Sequence, residues 1–257
     1  MLVAWSSKGM AYLKSDISEV RAPAPDPGWA LFLDIDGTLL EIAPTPEQVQ
    51  VPPTLIATLT QASAWLDGAL AIVSGRPFSQ IDKLFAPLRL PGGAGHGASL
   101  RMPGGRMESA SASLAVPPEW RTLLHHAVKQ WSGVVVEDKP HGIVVHYRAA
   151  PDRKPEIQDL VTGLVARDAE SFEVLPAKKA FEIRHRALTK AAVVRSLMAH
   201  TPFRGRTPVF VGDDVTDHDG FHAAKEKGGI ALDVGIAFDG RPAAVRAWLE
   251  QFRNGAD

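Results

Sequence analysis

Three short apolar runs set the frame of this chain, and each stops abruptly at acidic or small polar residues. Ala30-Leu-Phe-Leu33 runs into Asp34, Ala69-Leu-Ala-Ile-Val73 into Ser74-Gly-Arg76, and Pro208-Val-Phe-Val211 into Gly212-Asp-Asp214. Continuous apolar runs of this length, bounded by turn formers, fit parallel strands buried on both faces. Between and after them, apolar positions take helical spacing over 54–66, 189–198 and 242–252. Strands alternating with helices predict an α/β core built on a doubly wound, parallel, Rossmann-like sheet. In such sheets ligands bind beyond the carboxyl ends of the strands, where all three polar clusters lie.

The middle of the chain follows another pattern. Trp120, Leu124, Ala127, Val128 and Trp131 recur at helical spacing, and strands are predicted at 133–137 and 142–148. Ile157, Leu160, Val161, Leu164 and Val165 mark a second amphipathic helix, followed by strands at 172–175 and 180–185. Residues 103–184 therefore read as helix–strand–strand twice over, an α+β unit inserted between core segments 29–102 and 185–257. Residues 1–28, ending in the proline-rich run 21–28, read as a tail and linker. Alternation puts Ile143, Val145, Tyr147, Phe181 and Ile183 on the face that covers the helices. His146, Arg148, Glu182 and Arg184 fall on the opposite, polar face, joined by Lys178 if the last strand continues back that far.

Composition narrows the chemistry. The 257 residues are 45% apolar and 22% charged, ordinary for a globular protein that needs no covalent staples. The absence of cysteine excludes disulfides, thiolate zinc sites and cysteine nucleophiles. A net charge of −1 gives no reason to expect nucleic acid or an acidic membrane as partner. No run approaches a membrane span, and the first residues lack a signal peptide's apolar stretch, so a cytoplasmic protein is expected. Against this plain background the strand-end acids stand out: Asp34 and Asp36, then Asp213 and Asp214, with Asp217 close behind. Two ionised carboxylates 4 Å apart repel by about 4 kcal/mol at an effective dielectric of 20. Several that converge need protons or a cation, and an oxygen-only donor set suits Mg²⁺ rather than zinc. Lys190 opens a predicted helix, where the dipole disfavours a cation unless it neutralises an anion there.

In order and placement, these motifs resemble those of the haloacid dehalogenase-like (HAD) phosphatase superfamily. Asp34-Ile-Asp-Gly-Thr-Leu39 is similar to its first motif, Ser74 to its second, Lys190 to its third and Gly212-Asp-Asp-Val-Thr-Asp217 to its fourth. The resemblance implies a HAD core with an inserted α+β cap domain, and a phosphatase in which Asp34 is the nucleophile that forms an aspartyl-phosphate. It further implies that Asp36 protonates the leaving oxygen and later activates water. Mg²⁺ would be held by Asp34, the Asp36 main-chain carbonyl and Asp213, with Asp214 in support. Ser74, Gly75 and Lys190 would bind the phosphoryl group.

Within that superfamily the chain most resembles the trehalose-6-phosphate phosphatase family. The resemblance rests on Ser74-Gly-Arg76, Ala94-Gly-His-Gly-Ala98 with Arg101, His146-Tyr-Arg148, Lys178-x-x-x-Glu182 with Ile183-Arg184, and Gly212 to Asp217. It implies a sugar-phosphate substrate, bound by Arg76, His96, Arg148, Lys178 and Glu182, and a functional link to a trehalose-6-phosphate synthase. The chain departs from the family pattern at Ala177, His185 and Ala191. Alternative readings are a phosphatase acting on sucrose phosphate or mannosyl-phosphoglycerate, a relative of phosphomannomutase, and a non-catalytic sugar-phosphate sensor. All the motif carboxylates are present, which speaks against the sensor. Gly93-Ala-Gly-His-Gly-Ala98 fits a loose dinucleotide-binding pattern, but a poor preceding strand and Pro103 beyond it argue against that use. His125 and His126 read as exposed helix residues, and the six tryptophans as packing.

Overall fold

The computed structural model describes residues 21–43, 48–177 and 179–253. The chain divides into two compact units, one formed by Met1–Glu108 with Lys190–Asp257, the other by Ser109–Thr189.

In the first unit, β1 (Trp29–Leu33) leads through α1 (Leu55–Trp65) to β2 (Leu70–Val73), then through α2 (Phe78–Leu84) to three short strands, β3 (Gly92–Ala94), β4 (Ser99–Arg101) and β5 (Met107–Ser109). In the second unit, α3 (Pro118–Val128) precedes β6 (Val135–Asp138) and β7 (Gly142–His146), and α4 (Lys154–Val165) precedes β8 (Phe172–Ala177) and β9 (Ala180–His185). The first unit resumes with α5 (Lys190–Met198), β10 (Thr207–Gly212), α6 (His218–Glu226), β11 (Ile230–Asp233), α7 (Val234–Ala237) and α8 (Pro242–Leu249).

The larger sheet has the order β11-β10-β1-β2-β3-β4-β5. Its first five strands run parallel, and β4 turns back antiparallel to β3. Every residue of β1 and β2 is buried, as the unbroken apolar runs require of strands covered on both faces. Register is what makes a site. Leu33 pairs with Val211 on one side and Ile72 on the other, so Asp34, Ser74 and Asp213 leave the sheet at adjoining strand ends.

The predicted helices at 54–66, 189–198 and 242–252 form with ends within a few residues of the pattern. Strands β3 to β5 were not legible. A Cβ on Gly92 would overlap the Ile72 carbonyl, and one on Gly93 would overlap the Val193 side chain. The position therefore demands glycine, which carries no strand signal. The second unit spans Ser109–Thr189, where the sequence pattern predicts 103–184; β5, paired in the larger sheet, accounts for the later start.

The second unit is a four-stranded antiparallel sheet of order β6-β7-β9-β8. Ile143, Val145, Phe181 and Ile183 pack with Trp120, Leu124, Ile157 and Val161 from α3 and α4 in one apolar core. Trp120 lies 5.1 Å from Phe172 and Tyr147 lies 5.5 Å from Phe181, ring centre to ring centre.

Candidate active site

The acidic cluster follows from three chain reversals at strand ends. After β1, Asp34 is buried, and its main-chain N–H donates to the Val211 carbonyl at 3.0 Å. The chain then turns at Gly37, whose φ is +87° and whose Cβ, if it had one, would overlap the Asp213 carboxylate. Glycine is required there twice over, by conformation and by space. The next residue, Thr38, is fully buried and donates its hydroxyl to Asp213 Oδ1 at 3.0 Å.

Lys190 opens α5 and sends its ammonium inward, 2.8 Å from Asp34 Oδ1 and 2.6 Å from Asp217 Oδ1. Asp217 uses its second oxygen to accept the main-chain N–H groups of Asp213, at 3.1 Å, and Asp214, at 3.0 Å. Gly212 makes room for this, since a Cβ there would overlap the Asp217 side chain. One wholly buried carboxylate thus fixes both the lysine and the turn that carries the acids.

Carboxylate oxygens of Asp34, Asp213 and Asp217 lie within 4.8 Å of one another. The Asp34 carboxyl is raised to about 8, chiefly by burial, which Lys190 opposes and Asp217 and Asp213 reinforce. Asp213 is raised to about 6, again chiefly by burial, with Asp217 adding to it. Burial alone would discharge Lys190, but the two carboxylates outweigh it and hold the ammonium charged. One ammonium does not balance three clustered acids. With oxygen donors only, the cluster suits a hard dication such as Mg²⁺.

The remaining residues of the phosphatase motifs gather nearby. Both oxygens of Asp36 are held by Arg76, with Nε and Nη2 each at 2.6 Å. Ser74, almost wholly buried, accepts the Arg76 main-chain N–H at 3.2 Å, and its carbonyl accepts that of His96 at 3.1 Å. His96 has φ +55°, and its ring lies so close to Gly75 that a Cβ would sit 2.6 Å from Nε2. Ser74, Gly75, Arg76 and His96 are therefore one small assembly at the ends of β2 and β3. Asp214 stands outside the acidic triangle: its Oδ1 accepts the N–H of Val215 at 2.6 Å, capping the turn that follows.

The polar face of the inserted sheet forms as alternation predicts, but three of its residues are engaged within the unit, His146 among them with Glu137 at 2.8 Å. Glu182 is buried and accepts Lys139 Nζ at 3.0 Å, while Arg184 is buried against Glu173 at 2.9 Å. Arg148 lies beyond the end of β7 and is exposed. Lys178 lies outside the described residues. Lys139 and Asp217 escaped the sequence reading as site residues. A lysine before a Pro-His turn carries no signal, whereas Asp217, third acid of its motif, could have been found there.

Comparison with known proteins gives a consistent picture. A family model described as trehalose-phosphatase matches residues 32–244. The chain is 41% identical over 207 residues to a probable trehalose-phosphate phosphatase of Sinorhizobium fredii, covering 80% of this chain and 78% of that one. It is 34% identical over 207 residues to the trehalose-6-phosphate phosphatase of Escherichia coli, covering 80% and 77% respectively. Among solved structures, the C-terminal domain of Candida albicans trehalose-6-phosphate phosphatase superposes with a TM-score of 0.69 at 20% identity, covering 90% of this chain and 98% of that one.

Proposed function

The chain belongs to the trehalose-phosphatase family, and on that premise we propose that it hydrolyses trehalose 6-phosphate to trehalose and inorganic phosphate. The observation that carries the reading is Asp34: a buried carboxylate at a strand end, flanked by a lysine and two further acids, in a chain this similar to named phosphatases.

Asp34 has one oxygen on Lys190, which leaves the other to attack phosphorus. The bond from phosphorus to the sugar oxygen breaks as the aspartyl-phosphate forms, splitting one difficult hydrolysis into two easier steps. Asp36 donates a proton to the departing oxygen, for which Arg76, holding both of its oxygens in the free protein, must let one go. Water then attacks the acyl-phosphate, with Asp36 taking its proton, and phosphate leaves with Asp34 restored. Ser74, the Gly75 main chain and Lys190 hold the equatorial oxygens through the transition state. Asp34, the Asp36 carbonyl and Asp213, with Asp214 in support, would hold a Mg²⁺ ion, which would supply positive charge to the phosphoryl oxygens when bound. Asp217 serves as a positioning residue, through Lys190 and the Asp213 amide. Arg76, His96, Arg148, Lys178 and Glu182 bind the sugar phosphate, and a synthase making trehalose 6-phosphate supplies it.

The test is phosphate release from trehalose 6-phosphate with Mg²⁺ or EDTA, beside sucrose 6-phosphate, glucose 6-phosphate and p-nitrophenyl phosphate. Mg²⁺-dependent turnover of the trehalose ester far above the others is expected, and Asp34→Asn should abolish it in a folded protein. Equal turnover of all four esters would overturn the substrate assignment, and residual activity in Asp34→Asn near wild type would remove Asp34 as nucleophile.

A further inference from the structure

A cleft of about 580 Å³ lies wholly within the inserted unit, lined by Arg121, Thr122, His125, His126, Lys129 and Asp138. It is an open surface depression, and apart from the half-buried Arg121 its lining residues are exposed. None of the residues assigned to the reaction lines it.

The lining is unusual for the surface of a chain with net charge −1. Arg121, His125 and Lys129 recur every four residues, so α3 presents them as one stripe, with Thr122 and His126 on the adjoining strip. The helix dipole rewards cations in the last turn, which would account for His125, His126 and Lys129. It does not account for Arg121, which stands near the start of the helix, where a cation is disfavoured. One carboxylate faces these bases. Asp138 accepts Arg121 Nη1 at 2.7 Å and His125 Nε2 at 2.6 Å, and those two bonds hold its carboxyl below the ordinary carboxylate range. With Arg121 and Lys129 charged against Asp138 alone, the cleft is cationic before either histidine takes a proton.

The cleft is also mechanically tied to the sugar-binding candidate. Arg121 Nη2 donates to the Lys139 carbonyl at 2.9 Å, and Lys139 Nζ holds Glu182 at 3.0 Å. Arg121 thus braces from the side a turn that the Asp138–Ile143 strand pairing and the Lys139 N–H bond to the Gly142 carbonyl at 3.1 Å also hold, and Lys139 in turn holds Glu182.

We propose that this cleft is a regulatory site for a small polyanion, a polycarboxylate or a phosphate ester, held by Arg121, His125, His126 and Lys129 in competition with Asp138. A ligand that draws Arg121 and His125 away from Asp138 removes the Arg121 brace on the Lys139 carbonyl and lets Lys139 shift against Glu182 while the hairpin stays paired, so the anion raises KM for the sugar ester. The coupling rests on Glu182 as a sugar ligand; the binding itself does not.

Binding and coupling are tested separately. Citrate and pyrophosphate are titrated into the metal-free protein while the imidazole resonances of His125 and His126 are followed by NMR. This is done for the wild type, for a Lys129→Gln/His126→Gln variant and for Asp34→Asn. Saturable shifts of these resonances, with affinity at least tenfold weaker in the cleft variant (read from His125) and unchanged in Asp34→Asn, are expected for one or both anions. The stronger anion identifies the ligand class. Equal affinity in wild type and cleft variant, no saturation by 10 mM of either anion, or loss of binding in Asp34→Asn would each overturn the site. Kinetics at fixed free Mg²⁺ should then show the anion raising KM for trehalose 6-phosphate about threefold in the wild type and not in the cleft variant, with p-nitrophenyl phosphate turnover unmoved. An unmoved KM alongside intact binding would overturn the regulation, and no turnover of the sugar ester at all would fault the substrate reading instead.

Discussion

Replacing Asp217 by asparagine removes a single charge from the point where the acidic cluster is anchored. The side chain is fully buried and makes three bonds, to Lys190 Nζ at 2.6 Å and to the main-chain amides of Asp213 and Asp214 at 3.1 and 3.0 Å. Asparagine has almost the same volume but puts an NH₂ where one oxygen stood. With its carbonyl toward the two amides, the NH₂ faces the Lys190 ammonium; turned over, it faces two N–H groups. In either orientation donor meets donor. A hydrogen bond to a charged group is worth about 1.5–3 kcal/mol, and an opposed buried donor costs about 1–3 kcal/mol more. Lys190 keeps Asp34 as a partner, which limits the damage. The expected loss is about 3 kcal/mol, close to the lower end found for removing one member of a buried ion pair. Urea melts followed by far-ultraviolet circular dichroism should show the midpoint falling with little change in slope. A loss below about 0.5 kcal/mol would refute the claim that Asp217 holds both lysine and turn.

Stability should also depend on pH in a definite sense. The carboxyls of Asp34, raised to about 8, and Asp213, raised to about 6, bind protons in the folded chain that the unfolded chain releases near pH 4. Their contribution is present below about pH 4 and is lost as pH rises through 6 and then 8, with a slope of at most about 1.4 kcal/mol per pH unit for each proton. Melts of metal-free protein from pH 5 to 9 should show the decline, saturating Mg²⁺ should remove it, and a flat metal-free profile would contradict the cluster's electrostatics. Gly37→Ala must adopt φ +87° and displace Asp213, so kcat should fall at least tenfold while far-ultraviolet dichroism stays native. Wild-type kcat in that variant would show that the turn does not fix Asp213. Lys139→Ala frees Glu182 from its 3.0 Å partner and should raise KM for the sugar ester, leaving p-nitrophenyl phosphate turnover unchanged. Unaltered KM would separate Lys139 from substrate binding.

What could be read from the sequence follows from how local each feature is. Asp34, Ser74 and Asp213 were legible because each comes within two residues of the end of a buried apolar run, and parallel register then aligns them without further information. Lys190 was legible through its conflict with the helix start. The strand at Gly92 and Gly93 was hidden, since the constraint comes from Ile72 and Val193, remote in sequence. Pairing of Lys139 with Glu182 depends on how β7 and β9 lie side by side, and the chain carries no local mark of that. His125 reads as one more exposed helix residue until Asp138 is found 2.6 Å away.

Five of the six tryptophans pack into two separate apolar clusters and give the protein a built-in pair of optical reporters; Trp5 lies outside the described residues. Trp29, Trp65 and Trp248 crowd around Phe252, with ring centres 4.9 to 6.2 Å from it. Trp120 and Trp131 belong instead to the apolar core of the inserted unit. With Trp5 replaced by phenylalanine in both, a chain with phenylalanine at 120 and 131 would emit from the larger unit, and one with phenylalanine at 29, 65 and 248 from the insert. Fluorescence from the two variants would follow the melting of each unit by itself, with no label attached.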